Sequence, residues 1–207
     1  TTLVAGDIAF TGYISSHATT DAFSFVLLTN ITSGTVINFT DNGWLSTNVF
    51  RTGEQTVTWT SSTALTAGTE IMISGPAAGA ATATLVGGGA TGVCTGTMPS
   101  LSINGDQVLA YQGVAASPTF ISAIHMNVYT TLIGDPVTTT AAAWDGTANT
   151  TNSSALPTGL TNGVNAVWIG TQDVTLSEKD NGRFNCTGPL STAAQVRAAV
   201  NNLANWT

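Results

Sequence analysis

Residues 21–44 read Asp-Ala-Phe-Ser-Phe-Val-Leu-Leu-Thr-Asn-Ile-Thr-Ser-Gly-Thr-Val-Ile-Asn-Phe-Thr-Asp-Asn-Gly-Trp. Over residues 22–29, Phe23, Phe25 and Leu27 alternate with Ser24, Val26 and Leu28, which is the two-residue period of a strand. Gly34 interrupts the run, residues 35–40 form a second β-branched and aromatic run, and Asp41-Asn42-Gly43 closes it with turn chemistry. Two short strands joined by a polar turn set the pattern for the whole chain.

Outward from this stretch the same signals recur. A strand is predicted over 3–13. Another covers 55–60, with Val57 and Trp59 on one face and threonines on the other, and a third covers 70–74. Residues 75–97 are low-complexity Gly, Ala and Thr, a long surface loop in which 81–86 can form an edge strand. Strands follow at 107–111 and 120–126. Residues 130–160 are rich in Thr, Asn and Pro and read as an excursion over the surface, before a late strand at 165–170 that contains Trp168. One helix is predicted, over 192–204: Thr192 can cap it, Gln195 stands three residues on, and Val196, Ala199, Val200 and Leu203 repeat at helical spacing. The expectation is one all-β domain over 1–207, a sandwich with long Thr/Gly/Asn-rich loops and one short C-terminal helix. Ile31-Thr-Ser-Gly-Thr-Val-Ile37 also echoes Leu65-Thr-Ala-Gly-Thr-Glu-Ile71, and Leu160-Thr-Asn-Gly163 resembles both. Nothing between the echoes matches, so they read as a recurring turn before a strand rather than a repeat architecture.

The 207 residues carry only 7% charged side chains, against about 25% in ordinary soluble domains, with a net charge of −7. Arg51, Lys179, Arg183 and Arg197 are scattered, so no basic patch for nucleic acid or a membrane surface can form. No stretch of 18 apolar residues occurs, so no membrane insertion is expected. Hydroxyl replaces charge: 38 threonines and 16 serines make up about a quarter of the chain. A folded surface with so little charge calls for a covering of glycans or neighbouring subunits. The near absence of lysine, the start at Thr1 without Met and the two cysteines point to an exported, extracellular or cell-surface protein released from a signal peptide. In that compartment Cys94 and Cys186 are expected to pair, closing a loop worth about 4–5 kcal/mol in the chain-entropy account.

The chemistry of the sequence is sparse. His17 lies in a polar loop and His125 in a strand, no Gly-x-Ser-x-Gly elbow is present, and the aspartates sit mostly in turn sequences. No catalytic residue is assigned, and an enzyme is not expected. No cofactor is expected. Calcium is the one cation the residue types keep open, at Asp41-Asn42 and Asp180-Asn181. Asn-x-Ser/Thr acceptors occur six times. Asn149 and Asn152, in a Thr/Asn/Ser loop, are the leading glycosylation sites, followed by Asn30 at a strand end and Asn38 within a strand. Trp44, Trp59 and Trp168 read as core. Trp144 and Trp206 stand in polar segments and read as an exposed aromatic contact surface for sugar or subunit.

Gly6-Asp7-Ile8, Asp21-Ala-Phe-Ser-Phe-Val-Leu27, Asp41-Asn-Gly-Trp44, Leu65-Thr-Ala-Gly-Thr-Glu-Ile-Met-Ile73 and Leu101-Ser-Ile-Asn-Gly-Asp-Gln-Val-Leu-Ala-Tyr111 occur in an order that resembles a lamin-tail-like domain, over roughly residues 5–126. The chain departs from that pattern by replacing most expected charges with Thr and Ser and by adding about 80 residues, an extension over 127–207 expected to pack on the sandwich. The resemblance implies an immunoglobulin-like β-sandwich, of the kind that serves exported bacterial and archaeal proteins as a surface, adhesive or assembly module. The function expected is a glycosylated structural subunit of a surface filament, pilus-like fibre or sheath, with copies of itself as partner. The alternative is a secreted carbohydrate-binding or adhesive module with glycans as partner. Polymerisation is expected by strand addition, with Thr1, Thr2, Leu3, Val4 and Ala5 reaching a neighbouring subunit and residues 6–10 kept at home.

Overall fold

The computed structural model describes residues 1–127, 144, 150–170 and 179–207. Two β-sheets pack face to face. The first has the order β11-β1-β2-β5-β6, built from β1 (Ile8–Ile14), β2 (Asp21–Leu27), β5 (Glu70–Gly75), β6 (Thr82–Leu85) and β11 (Asn181–Arg183). The second has the order β10-β9-β8-β3-β4-β7, built from β3 (Val36–Thr40), β4 (Thr56–Ser61), β7 (Gly92–Gly96), β8 (Gln107–Val114), β9 (Ser117–His125) and β10 (Ala166–Trp168). Every pairing is antiparallel except β9 with β10.

The alternation over 22–29 positions the core. Phe23, Phe25 and Leu27 are buried between the sheets, whereas Ser24 on the other face is half-buried. Phe39 of β3 meets Phe23 at 5.0 Å and Phe25 at 4.9 Å between ring centroids, and Trp59 of β4 meets Phe25 edge-on at 5.7 Å. Aromatic pairs in such tilted geometry contribute about 0.5–1.5 kcal/mol each beyond the area they bury. The echoed turns are the stitch between the sheets: Ile31 N–H donates to Leu65 O at 2.8 Å and Leu65 N–H returns to Ile31 O at 3.0 Å.

A second apolar cluster lies outside the sandwich. Leu109, Tyr111, Phe120 and Ala123, on the outward face of β8 and β9, are covered by Trp44, Trp144, Ala155, Leu160 and Trp168. The covering needs Gly43, because a Cβ there would stand 2.1 Å from the Ser153 carbonyl oxygen. Beside it Trp44 N–H donates to Ser154 Oγ at 2.9 Å, and Ala155 N–H to Trp44 O at 2.8 Å. The described part of 130–160 is thus a packed layer. Ser153, Ser154, Ala155 and Leu160 are buried, and the surface excursion expected there is corrected.

The extension completes both sheets: β10 is the edge beyond β9, and β11 the edge beyond β1. Its helix α1 (Ala193–Val200) carries the expected capping box, with Gln195 N–H donating to Thr192 Oγ1 and the Gln195 side chain accepting the Thr192 N–H. It ends at Val200, with Asn201 as the C-cap, and a 3-10 turn follows at Leu203–Asn205, so the expected single helix over 192–204 is two pieces. Two strands arise where loop was expected. β7 lies inside the 75–97 segment and pairs with β4 despite Gly92 and Gly96, and β11 lies at the turn Asp180-Asn181-Gly182.

Candidate interaction surfaces

The N-terminal residues are docked on their own sandwich. Leu3 is fully buried in the main core. Its N–H donates to Gln112 Oε1 at 2.8 Å, and Gln112 Nε2 donates to Thr1 O at 3.1 Å and Val36 O at 2.7 Å. The Thr1 ammonium reaches Thr35 Oγ1 at 3.0 Å, and Arg197 Nε donates to Gly6 O at 2.7 Å. Thr1, Thr2 and Val4 are exposed and Ala5 is half-buried. Of Thr1, Thr2, Leu3, Val4 and Ala5, all expected to reach a neighbour, Leu3 is corrected on this geometry: it fills its own core, and Gln112 holds its N–H and the Thr1 carbonyl there.

Both tryptophans expected at the surface are buried. Trp144 Nε1 donates to Asn162 Oδ1 at 3.0 Å, and its ring lies 5.1 Å from that of His125. Trp206 packs in the main core and donates to Val200 O at 2.7 Å. Their indole N–H groups find partners inside the fold, the Asn162 side chain and the Val200 backbone carbonyl, and the exposed aromatic surface is corrected.

The cysteines are free. Cys94 stands on β7, one lateral edge of the sandwich, and Cys186 follows β11, the edge of the other sheet at the opposite end, since β1 faces β9 while β6 faces β7. Several strand spacings of about 4.8 Å separate the two, whereas a disulfide needs Cα atoms about 4.4–6.8 Å apart. The intrachain bridge is corrected. Cys94 packs against the core, and burial pushes its thiol up to about 11, while Cys186 is exposed.

Of the glycosylation acceptors, Asn30 is exposed, and its Oδ1 accepts the Ala67 N–H at 2.9 Å. Asn38 Nδ2 donates to Gly113 O at 3.2 Å, with the Thr40 of its acceptor triplet buried. Asn152 Nδ2 donates to Ser102 Oγ at 3.1 Å, with Ser154 buried. Asn149 lies outside the described residues.

The aspartates are anchors. The consecutive amides of Ser100, Leu101 and Ser102 donate to Asp41 Oδ2 (2.8 Å), Asp21 Oδ2 (3.0 Å) and Asp106 Oδ2 (2.8 Å), and Gln55 N–H donates to Asp41 Oδ1 (2.7 Å). All three carboxyls are buried, and desolvation raises them above the ordinary carboxylate range, Asp41 to about 6. With its oxygens accepting N–H groups, Asp41 is committed to the backbone. The other pair expected for calcium stands beside the other sheet, where the Asp180 carbonyl accepts the Ser15 N–H at 2.9 Å and Asn181 Nδ2 donates to Ser16 Oγ at 2.6 Å. Among the described residues no three His, Cys, Asp or Glu side chains form a group that could hold a metal. His17 is exposed in the β1–β2 loop and His125 is buried at the end of β9.

One concave site was missed by sequence reasoning. The loop after β3 curls back over the outer face of β3, β4 and β8 and leaves a pocket of about 280 Å³ between Phe50, Arg51 and Glu54 of the loop and Thr40, Thr56 and Tyr111 of the sheet. The loop is tied down: Arg51 N–H donates to Gly43 O at 2.7 Å and Glu54 N–H to Asn42 Oδ1 at 3.1 Å. Phe50 packs on Tyr111 with ring centroids 5.1 Å apart. Arg51 Nε and Glu54 Oε2 are buried without a hydrogen-bond partner. Burial, and then the charge of Asp41, push Glu54 up to about 8, with Arg51 opposing. Raised in this way, the glutamate takes up a proton more readily than an exposed one, and in its protonated form it can donate as well as accept. The only sequence signal was two charged residues three apart in a chain that has few.

No family model, no curated protein and no solved structure matches the chain.

Proposed function

We propose that this chain is a structural subunit of an extracellular or cell-surface assembly, an immunoglobulin-like sandwich of lamin-tail type that joins copies of itself by strand addition and carries glycan on at least Asn30. The observation that supports this reading is the edge of the second sheet. β7, Gly-Val-Cys-Thr-Gly, pairs with β4 on one side only, holds no charge and no proline, and exposes Val93 at 62%. Soluble monomers commonly guard such an edge with lysine, proline or an inward charge. The other three edges differ. The loop at Ala90–Thr91 bonds back to β6, the C-terminal residues Asn205 and Thr207 bond to the chain at β11, and β10 is three residues long. Scarce charge and abundant hydroxyl support the same reading, because a surface buried in an assembly has little need of charge for solubility.

The test is sedimentation velocity across a concentration series, with negative-stain microscopy of the concentrated sample, on the native sequence and on Val93→Lys. The expected result is reversible association or fibres for the native chain and monomer for the variant, with an unchanged melting temperature. A native chain that stays monomeric at every concentration and forms no fibre overturns the reading. Glycopeptide mapping of material from the native source checks Asn30 separately.

A further inference from the structure

The loop that joins β11 to α1 carries an acceptor triplet, Asn185-Cys186-Thr187, with no part in self-association through β7. Its entry is fixed. Phe184 packs against the main core and its N–H donates to Thr11 O at 2.8 Å, while Asn185 N–H donates to Asn205 O at 2.7 Å. From there the chain runs along the surface: Asn185, Cys186, Thr187, Gly188 and Pro189 are all exposed and belong to no helix or strand. Cys186 is free of a disulfide and closes only on its own loop, with Sγ donating to Gly188 O at 3.2 Å. Among the described residues neither the Asn185 side-chain amide nor the Thr187 hydroxyl has a hydrogen-bond partner.

An Asn-x-Ser/Thr triplet is recognised through the amide and through the hydroxyl two residues on, and its product is bulky and belongs at the surface. The other described acceptors have one or both of these groups engaged. Asn38, Asn152 and Asn205 are half-buried, and their Nδ2 atoms donate to Gly113 O (3.2 Å), Ser102 Oγ (3.1 Å) and Ala199 O (2.8 Å). At Asn30 the Oδ1 holds the Ala67 N–H, and Thr32 Oγ1 accepts from the Thr1 ammonium at 3.3 Å. We propose, resting on the reading of the chain as an exported glycoprotein, that Asn185 is an N-glycosylation site that receives an oligosaccharide from a lipid-phosphate-linked donor. In that transfer Asn185 Nδ2 bonds to the anomeric carbon of the first sugar. The bond from that carbon to the phosphate oxygen breaks, the lipid phosphate leaves with the electron pair, and the amide gives up one proton. The glycan stands at the β11 end, the lateral edge opposite β7, so it hydrates that end and leaves the open strand edge bare.

The experiment is peptide mapping of protein purified from its native source. Trypsin cleaves after Arg183 and Arg197, so Asn185 is the one acceptor in the peptide 184–197. Electron-transfer fragmentation of that peptide is expected to place a sugar chain on Asn185. Made in the same host, Asn185→Gln and Thr187→Ala should each lose the mass of one glycan from the intact protein, and Thr187→Ser, which keeps the hydroxyl, should retain it. All three changes fall on exposed side chains without partners, so folding does not confound the reading. A peptide 184–197 that is bare in every molecule overturns the proposal. If Asn30 carries glycan in the same digest, the failure is confined to Asn185; if no acceptor carries any, the glycan part of the proposed function falls with it. Sugar retained in Thr187→Ala, or found on Thr187, Ser191 or Thr192, also overturns the proposal, because it assigns the attachment to a hydroxyl. Self-association is read separately, by the Val93→Lys comparison.

Discussion

At the scale of single residues, what decides a role here is where the hydrogen-bonding groups of the backbone fall. Three successive amides, at 100, 101 and 102, each find a different buried aspartate. Polar groups buried without such a partner cost more than the net value of the bond itself. The same reasoning explains Gly43, which lets the 150s segment pass at backbone contact. Cysteine chemistry follows from placement as well. Cys186 is exposed, and Cys94 is half-buried with its thiol pushed up to about 11, so at neutral pH Cys94 holds almost no thiolate, the reactive form. Labelling of the native protein with a maleimide should modify one thiol quickly, at Cys186, and Cys94 much more slowly. The intact mass before labelling should be the same with and without reductant. Two unreactive thiols released only by reductant would show that a bridge forms after all.

At the scale of elements, the N-terminal segment is a strap rather than a donor strand. Leu3 has no exposed surface, and Gln112 accepts the Leu3 N–H and donates to the Thr1 carbonyl. Leu3→Ala should lower the unfolding free energy by ~2–5 kcal/mol in urea denaturation, the range for a leucine removed from a packed core. A change below ~1 kcal/mol would mean that the strap does not hold at home. Sequence alone could not settle its destination, because Leu3 and Val4 are adjacent, and an extended pair offers one side chain to each side wherever it docks. The strands with clean alternation were legible from their residues: β2, β3, β4 and β5 lie within a residue or two of expectation. β7 and β11 were not. Gly92, Gly96 and Asn181-Gly182 carry the composition of turns, and only pairing with β4 and β1 makes them strands, a tertiary effect that local propensity does not encode. Trp144 and Trp206 misled for a related reason. Their Asn- and Thr-rich neighbours suggested solvent, yet Asn162 and the Val200 carbonyl exist to receive indole N–H groups in the interior. The pocket was illegible because Arg51 and Glu54 form no motif and acquire meaning only when the loop folds back over Tyr111.

At the scale of the whole molecule, the scarcity of charge makes each buried carboxyl count, and together they set an unusual pH dependence. Asp21, Asp41, Asp106 and Glu54 are all raised, chiefly by desolvation. Repulsion among Asp41, Asp21, Asp106 and Glu54 adds to this, and Arg51 is the one opposing cation, acting on Glu54. A carboxyl whose folded value exceeds its unfolded value binds more protons in the folded state between the two, so unfolding becomes easier as pH rises through that window. For Asp41 the window runs from 3.8 to about 6, and for Glu54 from 4.5 to about 8. The rise at Asp41 alone makes the expected loss ~3 kcal/mol, because Asp41 is fully buried. Glu54 is partly exposed and adds less than its rise would imply. The protein should therefore be more stable near pH 4 than near pH 6, and less stable again near pH 8, the reverse of a domain whose carboxylates are held by salt bridges. Urea denaturation at the three values checks the order. Asp41→Asn should flatten the acidic limb, and Glu54→Gln the limb between pH 6 and 8. A native chain whose stability climbs from pH 4 to neutrality would show that the backbone amides on Asp41 and Asp106 outweigh their burial.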